Sequence, residues 1–183
     1  MSARVLEAAL FAAEVHARHR RKGAAEEPYI NHCLEVAALL AAHGAEEDVV
    51  IAGLLHDSVE DSREDPQPVT VALLEERFGP RVAAMVAEVS DDKSLPKEVR
   101  KARQITQARE KSEGARLVAL ADKIANLRAI RRDPPARWPH ARQVEYVGWA
   151  GRVAEGLRGL NPGLDAAFDA AYREALAELA ARG

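Results

Sequence analysis

Aromatic side chains are scarce, at 4 % of 183 residues, while the chain as a whole is 48 % hydrophobic and dense in Ala and Leu. That balance favours helices packed by aliphatic side chains over a β-rich architecture. Cysteine occurs once, at Cys33, which excludes an internal disulfide and fits a reducing compartment. Positive charge has no excess: 26 Lys and Arg stand against 29 Asp and Glu, for a net charge of −3 and a pI near 6.1. No overall basic field therefore calls for nucleic acid. No apolar run approaches the roughly 18 residues of a membrane span. The opening MSARVLEAALFAAEV is broken by Glu7 and Glu14, so it reads as an amphipathic helix with Leu6, Leu10, Ala13 and Ala17 on its apolar face rather than as a signal peptide. The expectation is a cytoplasmic protein with neither membrane nor nucleic-acid partners. Its oligomeric state is left open.

What is present is a succession of helix-period segments with short breaks, and no repeat, linker or low-complexity tract. The spacing predicts helices over 3–20, 31–43, 46–61, 71–78, 80–89, 96–111, 115–132, 139–158 and 164–181. Gly44 and Gly79 act as stops and Thr70 as an N-cap. Pro96 opens one helix, and Pro134–Pro135 with the NPG at 161–163 end others. Segment 46–61 is apolar nearly all round and should be the central buried helix. No stretch alternates with period two. The length suits one domain with a real core, so residues 1–183 read as a single all-α domain of about eight to ten helices.

One stretch needs explaining. GLLHDSVEDS, residues 53–62, runs from apolar residues into His56, Asp57, Glu60 and Asp61. On a helix, His56 and Glu60 are i,i+4 neighbours, as are Asp57 and Asp61, and like charges so placed cost stability. A bound divalent cation reverses the sign of that cost. A solvated helix end is the ordinary reading of an isolated His-Asp pair, but here seven apolar residues precede the pair and two more acids follow. Further ligands must come from elsewhere. His32 opens the preceding helix, and Asp122 is embedded in the apolar LVALADKIANL, where an unpartnered acid is costly. A salt bridge from Asp122 to Lys123 or Arg116 is the structural alternative, although adjacent helical residues point apart.

On the substrate side, RHRRK at 18–22 is the densest basic patch, a solvated face by composition but a phosphate clamp if it faces a metal. Lys97 is a second basic candidate. Asn126 follows Asp122 by one helical turn, so one face can offer a metal ligand and then a nucleotide contact. Trp138, Arg142, Tyr146 and Trp149 form a stripe beside the apolar seam Val144, Val147, Ala150, Ala154 and Leu157. Arg142 and Tyr146 are odd residues for a core, whereas Trp149 reads as packing.

HRRKGAAEEPYINH, GLLHDSVED, SDDKSLPK and LADKIANLR, in that order from about Leu6 to Gly159, resemble the HD-domain hydrolases of the RelA/SpoT group in their stand-alone small alarmone hydrolase form. The resemblance implies an HD-domain helical bundle and makes His32, His56, Asp57 and Asp122 the metal ligands, with manganese the usual ion. Two imidazoles and two carboxylates suit a borderline ion. Four protein ligands would close a tetrahedral zinc site, while an ion preferring six-fold coordination keeps positions for water and substrate, which favours Mn²⁺ over Zn²⁺ and leaves Zn²⁺, Co²⁺ or Fe²⁺ as alternatives. Glu60 and Asp61 match the pair that assists the attacking water. Arg21 and Lys22 match phosphate contacts, and Arg142 and Tyr146 match positions that approach substrate phosphate or ribose. The implied reaction is hydrolysis of the 3′-diphosphate of (p)ppGpp to GDP or GTP and pyrophosphate, without the synthetase half of the larger enzymes. One departure stands out: Ala129 replaces a Thr common in long bacterial members, so adenosine alarmones such as (p)ppApp, or NADPH, are alternative substrates. A nucleotide sensor that does not cleave its ligand is the reading outside enzymes.

Overall fold

The computed structural model describes residues 2–182. The elements are α1 (Ala3–Val15), α2 (Ile30–Ala42), α3 (Glu47–Leu55), α4 (Ser58–Asp61), α5 (Val71–Phe78), α6 (Pro80–Val89), α7 (Lys97–Thr106), α8 (Glu113–Arg132), α9 (His140–Leu157) and α10 (Pro162–Arg182), with a 3₁₀ turn at Ala108–Glu110. Two isolated bridges, Arg20 with Pro28 and Gly23 with Pro135, are the only extended pairings among the described residues. The architecture is all-α. No described helix is long and apolar enough to cross a membrane.

Local signals set the boundaries. Ser2, Thr70 and Ser112 accept hydrogen bonds from the amides of Val5, Leu73 and Ala115, capping α1, α5 and α8. Gly79 adopts φ +93°, a conformation other residues avoid, and Pro80 then starts α6.

α3 packs against α1, α2, α6 and α8, with Ile51, Leu54 and Leu55 fully buried. Each such aliphatic side chain contributes roughly 1.5–3 kcal/mol of transfer free energy. A Cβ on Gly53 would run into Leu40, so α2 and α3 approach closely there. α8 completes the core through Leu120, Ile124 and Leu127 and is flanked by α2, α3, α6, α9 and α10. This packing brings together the first turn of α2, the end of α3 and the middle of α8.

Four sequence expectations are corrected. The 46–61 segment is not continuous: after α3, His56 and Asp57 form a turn, the Gly53 carbonyl accepts from His56 Nδ1–H at 2.9 Å, and Asp57 takes φ −97°, ψ −4°. On α1 the expected face is solvent-exposed, with Leu6 52 % and Leu10 68 % exposed, and Ala8, Phe11 and Ala12 face inward instead. Small alanines let α1 lie close on α3, and the Arg77 guanidinium lies over the Phe11 ring at 4.6 Å. On α9, Val144 is exposed and the seam runs through Val147, Ala150, Val153, Ala154 and Leu157. α1 also ends at Val15, because residues 16–29 fold as an irregular loop. α10 covers the core with Leu164, Phe168, Ala171, Ala175 and Leu179, leaving Leu176 outside.

Candidate metal centre and substrate cleft

The break after α3 has a chemical consequence. With Nδ1–H committed to the Gly53 carbonyl, the neutral His56 ring carries its lone pair on Nε2, which is buried and has no other hydrogen-bond partner. That atom faces Asp57 Oδ2 at 2.9 Å and Asp122 Oδ1 at 3.7 Å. His32, on the first turn of α2, brings its Nε2 to 3.6 Å from Asp57 Oδ2 and 3.2 Å from Asp122 Oδ1. Two ligand atoms each about 2.1 Å from one ion, at angles of 90–109°, lie about 3.0–3.4 Å apart. The observed spacings bracket that range. The donor set of two imidazoles and two carboxylates, with an imidazole nitrogen left unpartnered in a buried site, fits one divalent cation.

Both carboxylates are oriented by further contacts. Tyr29 Oη–H donates to Asp57 Oδ2 at 2.7 Å. Lys123 Nζ donates to Asp122 Oδ2 at 2.9 Å, and Asn126 Nδ2 donates to Asp122 Oδ1 at 2.6 Å. Arg21 in turn donates to Asn126 Oδ1 at 2.9 Å, linking the basic loop to the metal side.

The electrostatics of these groups depend on one another. Burial resists ionisation of Asp57, but the neighbouring His56 imidazole holds its carboxyl below the ordinary range. Burial likewise opposes the Asp122 charge, and Lys123 with the two histidines outweighs it. Burial disfavours a charged His56, yet Asp57 and Asp122 raise its pKa well above the usual value. The two acids therefore draw a positive charge into the site, which either a proton or a cation can supply. Asp61 is pushed up to about 7 by burial and by the negative Asp57 and Glu60.

Glu60, the other member of the acidic pair, pairs with Lys93 Nζ at 2.6 Å and accepts from the Asp91 amide at 2.9 Å. With His56, Asp57 and Asp122 it lines a cavity of about 290 Å³. An adjoining cavity of about 220 Å³ is bounded by Arg21, Lys22, Tyr29, Asn126, Ala129 and Tyr146. A third, of about 330 Å³, is lined by Lys22, Lys93, Lys97, Arg100, Lys101 and Arg142 together with Glu60. Tyr146 is shared by the last two, and burial pushes its hydroxyl up to about 12. Arg142 stacks over Trp138 at 4.4 Å, and Trp149 packs in the core while donating from its indole to the Lys101 carbonyl.

Arg21 and Lys22 reach the cleft because their loop is stapled down. The amides of Ala24 and Ala25 donate to Asp133, the Ala136 amide donates to the Lys22 carbonyl, and a Cβ on Gly23 would collide with Asp133. Arg18 and Arg20 of the same basic run stay exposed.

The structure thus gathers His32, His56, Asp57 and Asp122 at one point, with Glu60 and Asp61 beside them and Arg21, Lys22, Lys97, Asn126, Arg142 and Tyr146 on adjoining walls. The sequence reading missed Tyr29 and discounted Lys123. Tyr29 stands three residues before His32, and that spacing was the available signal. Lys123 is a neighbour of Asp122 in sequence, yet its long stem folds back to its carboxylate while the ammonium lies 4.9 Å from the Trp149 ring. Lys123→Met is expected to destabilise the ion-free protein by about 1.5–3 kcal/mol, because it removes one charged hydrogen bond from a carboxylate that keeps Asn126 and the two histidines. The Asp122 pKa is depressed in the fold, so this contribution is fully present above its ordinary pKa and is lost as pH falls through the folded value. Urea denaturation at pH 7 with chelator measures it, and a loss under about 1 kcal/mol would show the pair to be dispensable.

Comparison with known proteins gives a consistent picture. A family model described as an HD domain matches residues 8–150. The chain is 44 % identical over 175 residues to the guanosine-3′,5′-bis(diphosphate) 3′-pyrophosphohydrolase MESH1 of Mus musculus, covering 94 % of this chain and 95 % of that protein. The same enzyme of Homo sapiens is 43 % identical with equal coverage. Among solved structures, a metazoan ortholog of SpoT that hydrolyzes ppGpp matches with a TM-score of 0.86 and 38 % identity, over 94 % of this chain and 96 % of that one.

Proposed function

The chain belongs to the HD-domain family, and from that premise we propose that it is a metal-dependent 3′-pyrophosphohydrolase of guanosine alarmones, converting (p)ppGpp and water to GDP or GTP and pyrophosphate. The observation that carries this reading is the convergence of two imidazoles and two carboxylates, from α2, the turn after α3, and α8, at the wall of a cleft lined with cations. A small-molecule nucleotide is the partner such a cleft suits. The single buried cysteine fits a cytoplasmic setting.

His32, His56, Asp57 and Asp122 would hold the cation, with Mn²⁺ favoured and Zn²⁺, Co²⁺ or Fe²⁺ as substitutes. When bound, such an ion polarises a phosphoryl oxygen and lowers the pKa of water. Glu60, fixed by Lys93 and the Asp91 amide, accepts the proton of the attacking water. Asp61, next to Glu60 and raised by burial and by Asp57 in the ion-free protein, is placed to pass that proton on. Arg21 and Lys22 grip the 3′-diphosphate, and Arg21 is pre-oriented by Asn126. Lys97 and Arg142 on the third cavity meet the remaining phosphates, while Tyr146 and Asn126 border the ribose.

Ala129 favours one second reading. It lines the second cavity and offers no side-chain hydrogen bond, so this position does not select a guanine edge, and adenosine alarmones or NADPH are the alternative substrates. Purified protein with Mn²⁺, given ppGpp and ppApp separately, is expected to release pyrophosphate and GDP from the first. Cleavage of ppApp as fast as ppGpp or faster would establish the second reading, and intact nucleotides in both reactions would defeat the hydrolase assignment.

A further inference from the structure

Next to the centre described above, His16, His19 and Asp61 each bring a ligand atom to within 4.8 Å of the others. His16 and His19 lie in the loop that leaves α1, and Asp61 ends α4, so the loop's excursion across the molecule is what assembles the group. The Nδ1 atoms of the two histidines are 3.0 Å apart. That distance suits two ligands at about 2.1 Å on one ion at a right angle. It also suits a single hydrogen bond between the rings, and the surroundings of Asp61 separate these accounts.

His16 is 1 % exposed, and its Nε2 has no partner. A ring-to-ring hydrogen bond leaves that buried Nε2 unsatisfied, and so does an ion held by both Nδ1 atoms, so the orphan does not choose between them. Asp61 has no hydrogen-bond or ion-pair partner among the described residues, although it sits beside the acids Asp57 and Glu60. Nothing in a His16–His19 hydrogen bond answers that carboxylate. A cation shared by all three groups does, because it supplies positive charge where three acids crowd.

We propose that His16, His19 and Asp61 form a second divalent-cation site adjoining the first. Two imidazoles and one carboxylate are a borderline donor set that prefers Zn²⁺ or Co²⁺ to Mn²⁺. With three protein ligands the site is open, and it binds more weakly than the four-ligand centre. It is coupled to that centre by a short relay. The His16 ring packs on Tyr29 with centroids 5.0 Å apart, and Tyr29 donates to Asp57 at 2.7 Å. Asp57 and Asp61 also share one helical turn, the Asp61 amide donating to the Asp57 carbonyl at 2.9 Å. Occupancy of the second site would hold Asp61 in place and steady Tyr29 against the first. The inference does not depend on which nucleotide is cleaved.

The test is stoichiometry. Full-length protein is equilibrated with excess Zn²⁺, passed through a desalting column, and assayed for bound zinc per chain by mass spectrometry, with circular dichroism confirming the fold. The wild type is expected to carry two ions, His19→Gln and Asp61→Asn one each, and Asp57→Asn, which strikes the other centre, one. A wild type carrying one ion overturns the second site; if Asp57→Asn then carries none, the first centre still stands. Two ions retained in His19→Gln also overturn the proposal, since that zinc would reside on surface groups such as His43 or His140.

Discussion

Asp57→Asn is expected to abolish ion uptake at the four-residue centre and to lower the hydrolysis rate by about 10³-fold or more. Several kcal/mol of transition-state stabilisation depend on the bound ion, and each 1.36 kcal/mol is a factor of ten. The substitution is nearly isosteric, so Asn can still accept from Tyr29, which now sits 2.7 Å from Asp57 Oδ2. What it removes is the charge that faces His56 at 2.9 Å and His32 at 3.6 Å. The consequence extends to pH. In the ion-free protein His56 has a raised pKa, so its pairing with Asp57 stabilises the fold fully below about pH 6.5, and the contribution is lost as pH rises through the raised folded value. A cation must displace that proton, so uptake by the wild type releases protons and tightens as pH rises. In Asp57→Asn most of this linkage disappears. Calorimetric titration with Mn²⁺ in buffers of different ionisation enthalpy measures both effects. Wild-type affinity in the variant would remove Asp57 from the ligand set.

The parts of this molecule that the sequence declared are those governed by local chemistry. Thr70, Gly79 and Pro80 set the limits of α5 and α6 because capping and φ preferences act within a few residues. His56 and Asp57 stood out because charged side chains after a long apolar run have no inexpensive structural role. What stayed hidden was decided by tertiary packing. In an alanine-rich helix such as α1, two faces carry a helical period, and only contact with α3 selects Ala8, Phe11 and Ala12 over Leu6 and Leu10. The turn at His56–Asp57 depends on one side-chain bond to Gly53, which no propensity encodes. The Asp122–Lys123 pair stays one alternative among two in the sequence, because neighbouring helical residues diverge by a rule about Cβ directions that a flexible four-carbon stem evades. His16 and His19 fall where periodicity ends, so nothing along the chain pointed them at Asp61.

Glu60→Gln should separate catalysis from binding. Its carboxylate lies outside the ligand set, held 2.6 Å from Lys93 Nζ and 2.9 Å from the Asp91 amide, on the wall of the same cavity as His56, Asp57 and Asp122. Gln keeps the length and an acceptor oxygen for the Asp91 amide, but its other terminal group is a donor that cannot take a proton. A positioned general base contributes typically 10²–10⁴-fold, so turnover of ppGpp is expected to fall by about that factor. Ion uptake should be unchanged, and the KM should move little, because Arg21 and Lys22 on the stapled loop are untouched. Steady-state kinetics with Mn²⁺ beside calorimetric titration of the same preparation gives both readings. A variant that turns over within threefold of the wild type would move the base to Asp61. A wild type that binds nucleotide tightly without cleaving it, and a variant indistinguishable from it, would instead make the cleft a sensor, with Glu60 serving only to anchor Lys93.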